Sequence, residues 1–373
     1  MKLKIKQNIL MENLNNSIRG ISNKNLIPIL HCIKFELTED GLYLESTDNE
    51  IAIKTFISKN QIELIEELGS FVVSGKYIYE IVKKLPNTII NIEETVDSKL
   101  SLYTDNSSFN LNLNNVHDFP QLDLDEIKKP VILKNEVLKT IINQTSFATS
   151  TQESRPVLTG INFKVENNIL ECIATDSYRL SKKSLKLKEK YAEKINIIIP
   201  NKNLIELIRM LNTEDGEIEI HTFSNKVVFK FDNIIMMSRL ISGTYPDVSK
   251  LIPESFNLTV STDYSEIYNA IDRASLLTNE SDKNTIKFET LNQEAKIYSN
   301  IPEIGNVEES IKINKNNEEQ IKIAFSSRYM LEALKALESS EIELLFNGDV
   351  KPIILKNSSN DSLIQLILPI RTY

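Results

Sequence analysis

The chain has 373 residues, 41% of them hydrophobic, and carries 43 Lys and Arg against 52 Asp and Glu for a net charge of −9. That length suits three domains of about 100–150 residues better than one core. No apolar run approaches the ~20 residues that span a bilayer, and 9 glycines leave little material for phosphate-cradling loops.

The N-terminal Met1-Lys2-Leu3-Lys4-Ile5 alternates polar and apolar residues and lacks a signal-peptide core. From Leu3 the pattern reads as a strand running into a helix, and it returns at Val131 and at Leu258. Thr47-Asp48 is matched by Thr175-Asp176, and Phe119-Pro120 by Tyr245-Pro246. Strand-like runs at Phe71–Val73, Ile197–Ile199 and Ile321–Phe325 each precede a nine-residue helical pattern. These patterns are K-Y-I-Y-E-I-V-K-K from Lys76, K-N-L-I-E-L-I-R-M from Lys202 and R-Y-M-L-E-A-L-K-A from Arg328, each 126 residues after the last. A period this long means a repeated domain and not a solenoid of short repeats. Alternating strands lie between the helices, so the expected fold class is α+β, with helices on one face of antiparallel sheets. The expected domains are residues 1–128, 129–253 and 254–373.

At about 100° per residue, the basic residues of each pattern fall on one side of its helix. Ile78, Val82 and Leu85 lie opposite in the first copy, Leu204, Leu207 and Leu211 in the second, and Met330, Leu334 and Leu337 in the third. One such stripe is ordinarily a solvated face with internal glutamate–lysine pairs. Three at one phase hold seven basic residues against three glutamates, a locally basic face on an acidic chain. Such a face suits a polyanion bound weakly and without sequence preference.

Catalytic constellations are not found. His31, His117 and His221 are scattered, and no nucleophile-elbow, P-loop or dinucleotide-binding pattern occurs. Asp48, Asp176 and Glu171 have no spacing that places them around a pocket. Cys32 and Cys172 have no metal-ligand spacing and read as reduced, buried thiols of a cytoplasmic protein. No catalytic residue, metal or cofactor is expected.

The runs R-P-V-L-T-G-I-N-F from Arg155, A-T-D-S-Y-R-L-S from Ala174, Y-P-D-V-S-K-L-I-P from Tyr245, I-D-R-A-S-L-L-T-N-E from Ile271 and the terminal Q-L-I-L-P-I-R-T-Y resemble the bacterial DNA sliding clamp, the β subunit of the replicative DNA polymerase III holoenzyme. The resemblance runs in register from Asn25 to Tyr373. It implies three tandem clamp domains and a head-to-tail homodimeric ring around double-stranded DNA. It also implies service to the replicative polymerase, an ATP-driven clamp loader, and other polymerases and repair proteins that carry short binding peptides. One side of the implied dimer interface uses Phe109 and Leu111, the other Leu276 and Leu277. The alternation Phe109-Asn110-Leu111-Asn112-Leu113 equally suits a half-buried core strand.

The family's peptide cleft falls on Leu158, Thr175, Ser177, Tyr178, Arg179, Leu180, Pro246, Lys250, Leu251, Val350, Pro352, Leu366, Leu368, Pro369, Ile370 and Arg371. Ser177 stands where many members have glycine, and Tyr178 where many have histidine. Leucines and prolines would form an apolar floor, with Arg179 and Arg371 meeting acidic or backbone groups of an extended peptide. Residues facing DNA are expected to be Lys24, Lys76, Lys83, Lys84, Lys202, Arg209, Lys283, Arg328 and Lys335. A scaffold that recruits partners through the cleft without enclosing DNA is the alternative from another class, and an enzyme with an unrecognised site is a third.

Overall fold

The computed structural model describes residues 1–22, 26–95, 97–124, 129–191, 194–211 and 215–371. Six α-helices run through these residues: α1 (Gln7–Ser17), α2 (Gly75–Lys84), α3 (Asn135–Thr145), α4 (Asn201–Met210), α5 (Tyr264–Ser275) and α6 (Ser327–Leu337). One order of elements recurs. A strand feeds a helix, three strands form a meander, a strand feeds a second helix, and three more strands follow; the first and third copies insert one more strand after the meander, Ile62–Glu67 and Asn314–Lys315. Odd-numbered helices open each copy. Even-numbered ones carry the nine-residue patterns.

Local sequence explains the helix starts and faces. The Asp263 side chain accepts a hydrogen bond from the Glu266 amide at the head of α5, and Ser326 does the same for Tyr329 at α6. Ile78 and Val82 of α2, Leu204 and Leu207 of α4, and Met330 and Leu334 of α6 are buried, as the helical spacing requires. Each such burial contributes about 1.5–3 kcal/mol.

Contacts gather the chain into two compact units, Met1–Leu138 with Lys202–Leu240, and Lys139–Asn201 with Ile241–Tyr373. The first unit holds a 13-stranded sheet. In it, the meander strand Ile51–Ser58 pairs antiparallel with Ile234–Arg239, Thr55 opposite Ile234 and Ile51 opposite Ser238. The unit's core packs Leu10, Leu14, Ile78 and Val82 over Phe35 and Phe71, whose rings stack at 4.8 Å.

The second unit holds a nine-stranded and a four-stranded sheet. Its meander strand Arg179–Lys186 pairs with Asn360–Ile367, Arg179 opposite Ile367 and Lys183 opposite Leu363. Its larger core packs Ile267, Ile271, Met330 and Leu334 with Phe288 and Phe346, rings 6.1 Å apart. In both units the last hairpin of one sequence copy is hydrogen-bonded to the meander of the copy before it. Sheet continuity therefore groups the contacts differently from the 126-residue period.

Candidate functional site

The most specific motif folds into a tight turn. Thr175 Oγ1 donates to the Arg179 carbonyl at 2.6 Å, and Asp176 Oδ1 accepts from the amides of Tyr178 at 2.9 Å and Arg179 at 3.0 Å. Ser177 sits at φ +79°, the left-handed region that glycine enters freely. Thr47–Ile51 repeats the turn bond for bond: Thr47 Oγ1 donates to the Ile51 carbonyl at 2.7 Å, Asp48 Oδ1 accepts from Glu50 and Ile51, and Asn49 takes φ +77°. Asp48 and Asp176 thus serve as turn formers. Glu171 pairs with Lys182.

Arg179 departs from expectation. It is 6% exposed, and its guanidinium lies 4.4 Å from the Tyr329 ring and 5.2 Å from the Phe147 ring. Nε donates to Asp176 Oδ2 at 3.0 Å, and Nη1 pairs with Glu332 of α6. With rings at its faces and carboxylates at its edges, this arginine is an internal strut and not a hand offered to a peptide. Phe147, Tyr329 and Glu332 complete the strut. Sequence reading placed only Glu332, and that in a solvent stripe.

The expected cleft residues fall in more than one place: three lie in an apolar cluster, five line a cavity beside the tail, and Pro246 lines another cavity. Leu158, Leu180 and Leu366 are buried in one apolar cluster with Ile173, Ile198, Tyr245, Val248, Leu345 and Ile354. The Tyr245 hydroxyl accepts from the Thr175 amide at 3.0 Å, and burial pushes its pKa well up. Leu251, Val350 and Leu368 are 50%, 60% and 38% exposed. Ser177, Tyr178, Pro246, Lys250 and Arg371 are exposed, Pro352, Pro369 and Ile370 half-buried, and Thr175 buried. Two main-chain bonds pin the tail: the Leu368 amide donates to the Tyr178 carbonyl at 2.9 Å, and the Ile370 amide to the Ala324 carbonyl at 2.7 Å. Beside the tail lies a cavity of about 670 Å³, lined by Val350, Leu368, Pro369, Ile370 and Arg371 and also by Lys287, Lys322, Ile323, Ala324 and Asp349. Sequence reading missed the last five. The polar–apolar alternation of Lys322-Ile323-Ala324 was the available signal.

Among the expected cationic residues, Lys76, Lys83, Lys84, Lys202, Arg209, Lys283, Arg328 and Lys335 are all exposed, and Lys24 lies outside the described residues. Three of the helix lysines hold their ammonium groups near tyrosine rings. Lys76 is 5.9 Å from the Tyr77 ring, Lys83 5.5 Å from Tyr79, and Lys335 5.5 Å from Tyr268, whose hydroxyl raises the Lys335 pKa. Two of the stripe glutamates do more than pair within their helix. Glu206 accepts from Arg209 at 2.5 Å and from Arg19 at 2.8 Å, and Glu332 from Arg328 at 3.2 Å and from Arg179.

Two strands are incompletely paired among the described residues. Ser108–Asn114, which carries Phe109 and Leu111, pairs with Lys99–Tyr103 along one side. Along the other, only Leu113 and Asn114 meet a partner, Val73 and Val72. Gly305–Lys312 is the outermost strand of the four-stranded sheet. These edges hold the places in the repeat that Ile234–Arg239 and Ile51–Ser58 fill in one copy pair, and Asn360–Ile367 and Arg179–Lys186 in the next. Leu276 is 78% exposed just beyond α5, and Leu277 is half-buried.

Among the described residues no acid–base or nucleophile arrangement accompanies these features. His221 is buried against Glu219 at 3.1 Å, and burial raises the thiol pKa of both cysteines. Among the described residues no three His, Cys, Asp or Glu converge as for a metal ion.

Comparisons with known proteins cover the whole length. Family models described as the N-terminal, central and C-terminal domains of the DNA polymerase III beta subunit match residues 1–123, 132–247 and 249–371. The chain is 40% identical to beta sliding clamps of Staphylococcus epidermidis and Staphylococcus aureus, over 100% of both chains in each case. It is similar to the crystal structure of the DNA polymerase sliding clamp from Bacillus subtilis at 37% identity and TM-score 0.96, with 100% of each chain covered. The DNA polymerase III beta chain of Streptococcus pneumoniae matches at 33% identity and TM-score 0.94, again over 100% of each chain.

Proposed function

The chain belongs to the DNA polymerase III beta subunit family, the bacterial sliding clamps, and from that premise we propose how its residues do the work of a processivity factor. Two copies join head to tail into a closed ring of six domains, with boundaries near residues 1–128, 129–253 and 254–373 in each copy. The ring encircles duplex DNA, slides without reading sequence, and tethers the replicative polymerase through the cleft beside Leu368–Arg371. It works in the cytoplasm without catalysing a reaction of its own. An ATP-driven loader opens it, and other polymerases and repair proteins share the cleft.

The observation that carries this reading is the pair of open strand edges. Within the chain, a meander strand pairs with the last strand of the next copy twice, at Ile51–Ser58 with Ile234–Arg239 and at Arg179–Lys186 with Asn360–Ile367. Among the described residues, Gly305–Lys312 pairs along one side only, and Ser108–Asn114 meets Val72 and Val73 alone along its second side. A second chain supplies a partner for both, and two such joints close a ring. Leu276 and Leu277 follow α5 where Ile18 and Arg19 follow α1 and Ser146 and Phe147 follow α3. Arg19 and Phe147 both reach into the next copy, to Glu206 and to the core around Met330. Leu276 and Leu277 would do likewise in the partner.

The ring's hold on DNA is then topological. Lys76, Lys83, Lys84, Lys202, Arg209, Lys283, Arg328 and Lys335 need only centre the phosphates, and long lysine stems in a wet channel do so without locking a register. Lys24 is assigned the same role from the family pattern alone. In the cleft, two leucine-sized anchors over Leu158, Leu180 and Leu366 would contribute on the order of 3–6 kcal/mol before ordering costs, enough for micromolar, exchangeable binding.

The test is retention on DNA. Protein loaded onto a nicked circle should withstand salt that strips it from linear duplex, and cutting the circle should release it. Loss from an intact circle at a salt concentration that leaves the dimer closed would refute encirclement and favour a scaffold that uses the cleft alone.

A further inference from the structure

The cavity beside the tail has a wall that an apolar groove does not require. Lys287 and Ala324 are cross-strand partners in the four-stranded sheet, and Lys322 lies two residues before Ala324. The pleat therefore projects both lysines from the face that carries Ala324, whose carbonyl holds the Ile370 amide. Both ammonium groups lie over one ring, Lys287 at 6.0 Å and Lys322 at 5.7 Å from the Tyr298 centroid. One carboxylate serves the pair: Glu289, 3.3 Å from Lys322. Lys287 has the ring but no carboxylate partner among the described residues. Arg371 adds a third cation to the lining, and Asp349 is its one acid. Three cations to one acid reverses the balance of a chain with 52 acidic and 43 basic residues.

Two ammonium groups sharing one ring repel each other, and a ligand carboxylate set between them would relieve that repulsion. We propose that Lys287 and Lys322 make the cleft selective for partner peptides that carry carboxylates beside the apolar anchor seated at the Val350–Leu368 end. The inference rests on the cleft assignment made above and adds to it a charge rule and two residues. An anchor with aspartate or glutamate next to it lays its apolar side chain against Ile370 and its carboxylate over the lysines. An anchor flanked by lysine or arginine is disfavoured at the same place.

The experiment uses a short fluorescein-labelled peptide from the C-terminus of the cognate replicative polymerase, made in two forms. They differ at two positions beside the last apolar anchor, aspartate in one and asparagine in the other. Intact protein should bind the aspartate form about fivefold tighter or more at low ionic strength, as two partly exposed ion pairs allow, and added salt should shrink the gap. Lys287→Gln with Lys322→Gln should erase the preference while leaving the affinity for the asparagine form and the sedimentation of the protein unchanged. Equal binding of the two forms by intact protein overturns the inference alone, as does a preference that survives the double substitution. Failure of intact protein to bind either form overturns the cleft assignment, and the inference falls with it.

Discussion

Where Ile51–Ser58 meets Ile234–Arg239, the turn Thr47–Ile51 stands over a small apolar cluster of Cys32, Val72 and Phe119. Where Arg179–Lys186 meets Asn360–Ile367, the same turn stands over nine buried apolar residues. The frames match closely: the Arg239 amide donates to the Glu50 carbonyl at 2.9 Å in one, and the Leu368 amide to the Tyr178 carbonyl at 2.9 Å in the other. The contents differ. Lys226, 126 residues before Pro352, is buried, and its ammonium bonds the Asp123 carbonyl at 3.0 Å and pairs with the Asp123 carboxylate. The first joint is thereby stoppered by its own linker. At the second, a proline replaces that lysine, and the strand runs on into a tail beside a cavity of about 670 Å³. One repeated frame thus holds a lysine tied to its own linker in one joint and a proline in the other.

The comparison extends to a third joint, between copies, where no linker helps. Replacing Leu276 and Leu277 together with aspartate should have the largest effect of any change considered. Two buried carboxylates without partners cost several kcal/mol per interface. Sedimentation should then show monomers at micromolar concentration, with circular dichroism unchanged. A dimer that survives would sever the link between this site and the internal joints.

The second joint depends on a buried arginine and the first on a half-exposed one. Arg179→Met should cost about 3 kcal/mol, because it removes a buried guanidinium from between two rings and leaves the little-exposed Asp176 carboxylate without its ion-pair partner. Arg19→Met, which frees Glu206 to Arg209 and water, should cost about 1 kcal/mol or less. Denaturant unfolding measures both, and equal losses would erase the distinction.

Removing residues 368–373 should leave the dimer intact, since the edges at Phe109 and Gly305 are untouched. Peptide affinity should fall by about tenfold or more as Leu368, Pro369, Ile370 and Arg371 are lost. Titration of a labelled polymerase-tail peptide decides, and equal affinity would show the cleft misplaced.

The smallest effect concerns the turns. Ser177→Gly relieves a φ of +79° and should stabilise by about 0.5–1 kcal/mol. Asn49→Gly at φ +77° should gain less, because asparagine tolerates the left-handed region. A thermal-shift series ranks them, and the reverse order would break the equivalence of the two turns.

Much of this was legible in the chain. The 126-residue spacing of Lys76, Lys202 and Arg328 marked three equal helices with the right buried faces, because amphipathic periodicity is local. Thr47-Asp48 and Thr175-Asp176 announced a repeated turn, because its hydrogen bonds span only four residues. The contacts gathered into two units because strands pair between copies, and pairing partners leave no mark in a linear period. Arg179 looked like a rim residue since nothing nearby in sequence reveals Tyr329 and Phe147 on either side of it. Lys287 and Lys322 were silent for the same reason: 35 positions separate them, and only the sheet brings them to one ring.

The central claim is that the third joint forms between two copies through the open edges. The direct measurement is the mass of the native protein by sedimentation equilibrium at micromolar concentration. The account predicts twice the mass of one 373-residue chain, falling to a single chain when Leu276 and Leu277 become aspartate. A single-chain mass for the unaltered protein would contradict it.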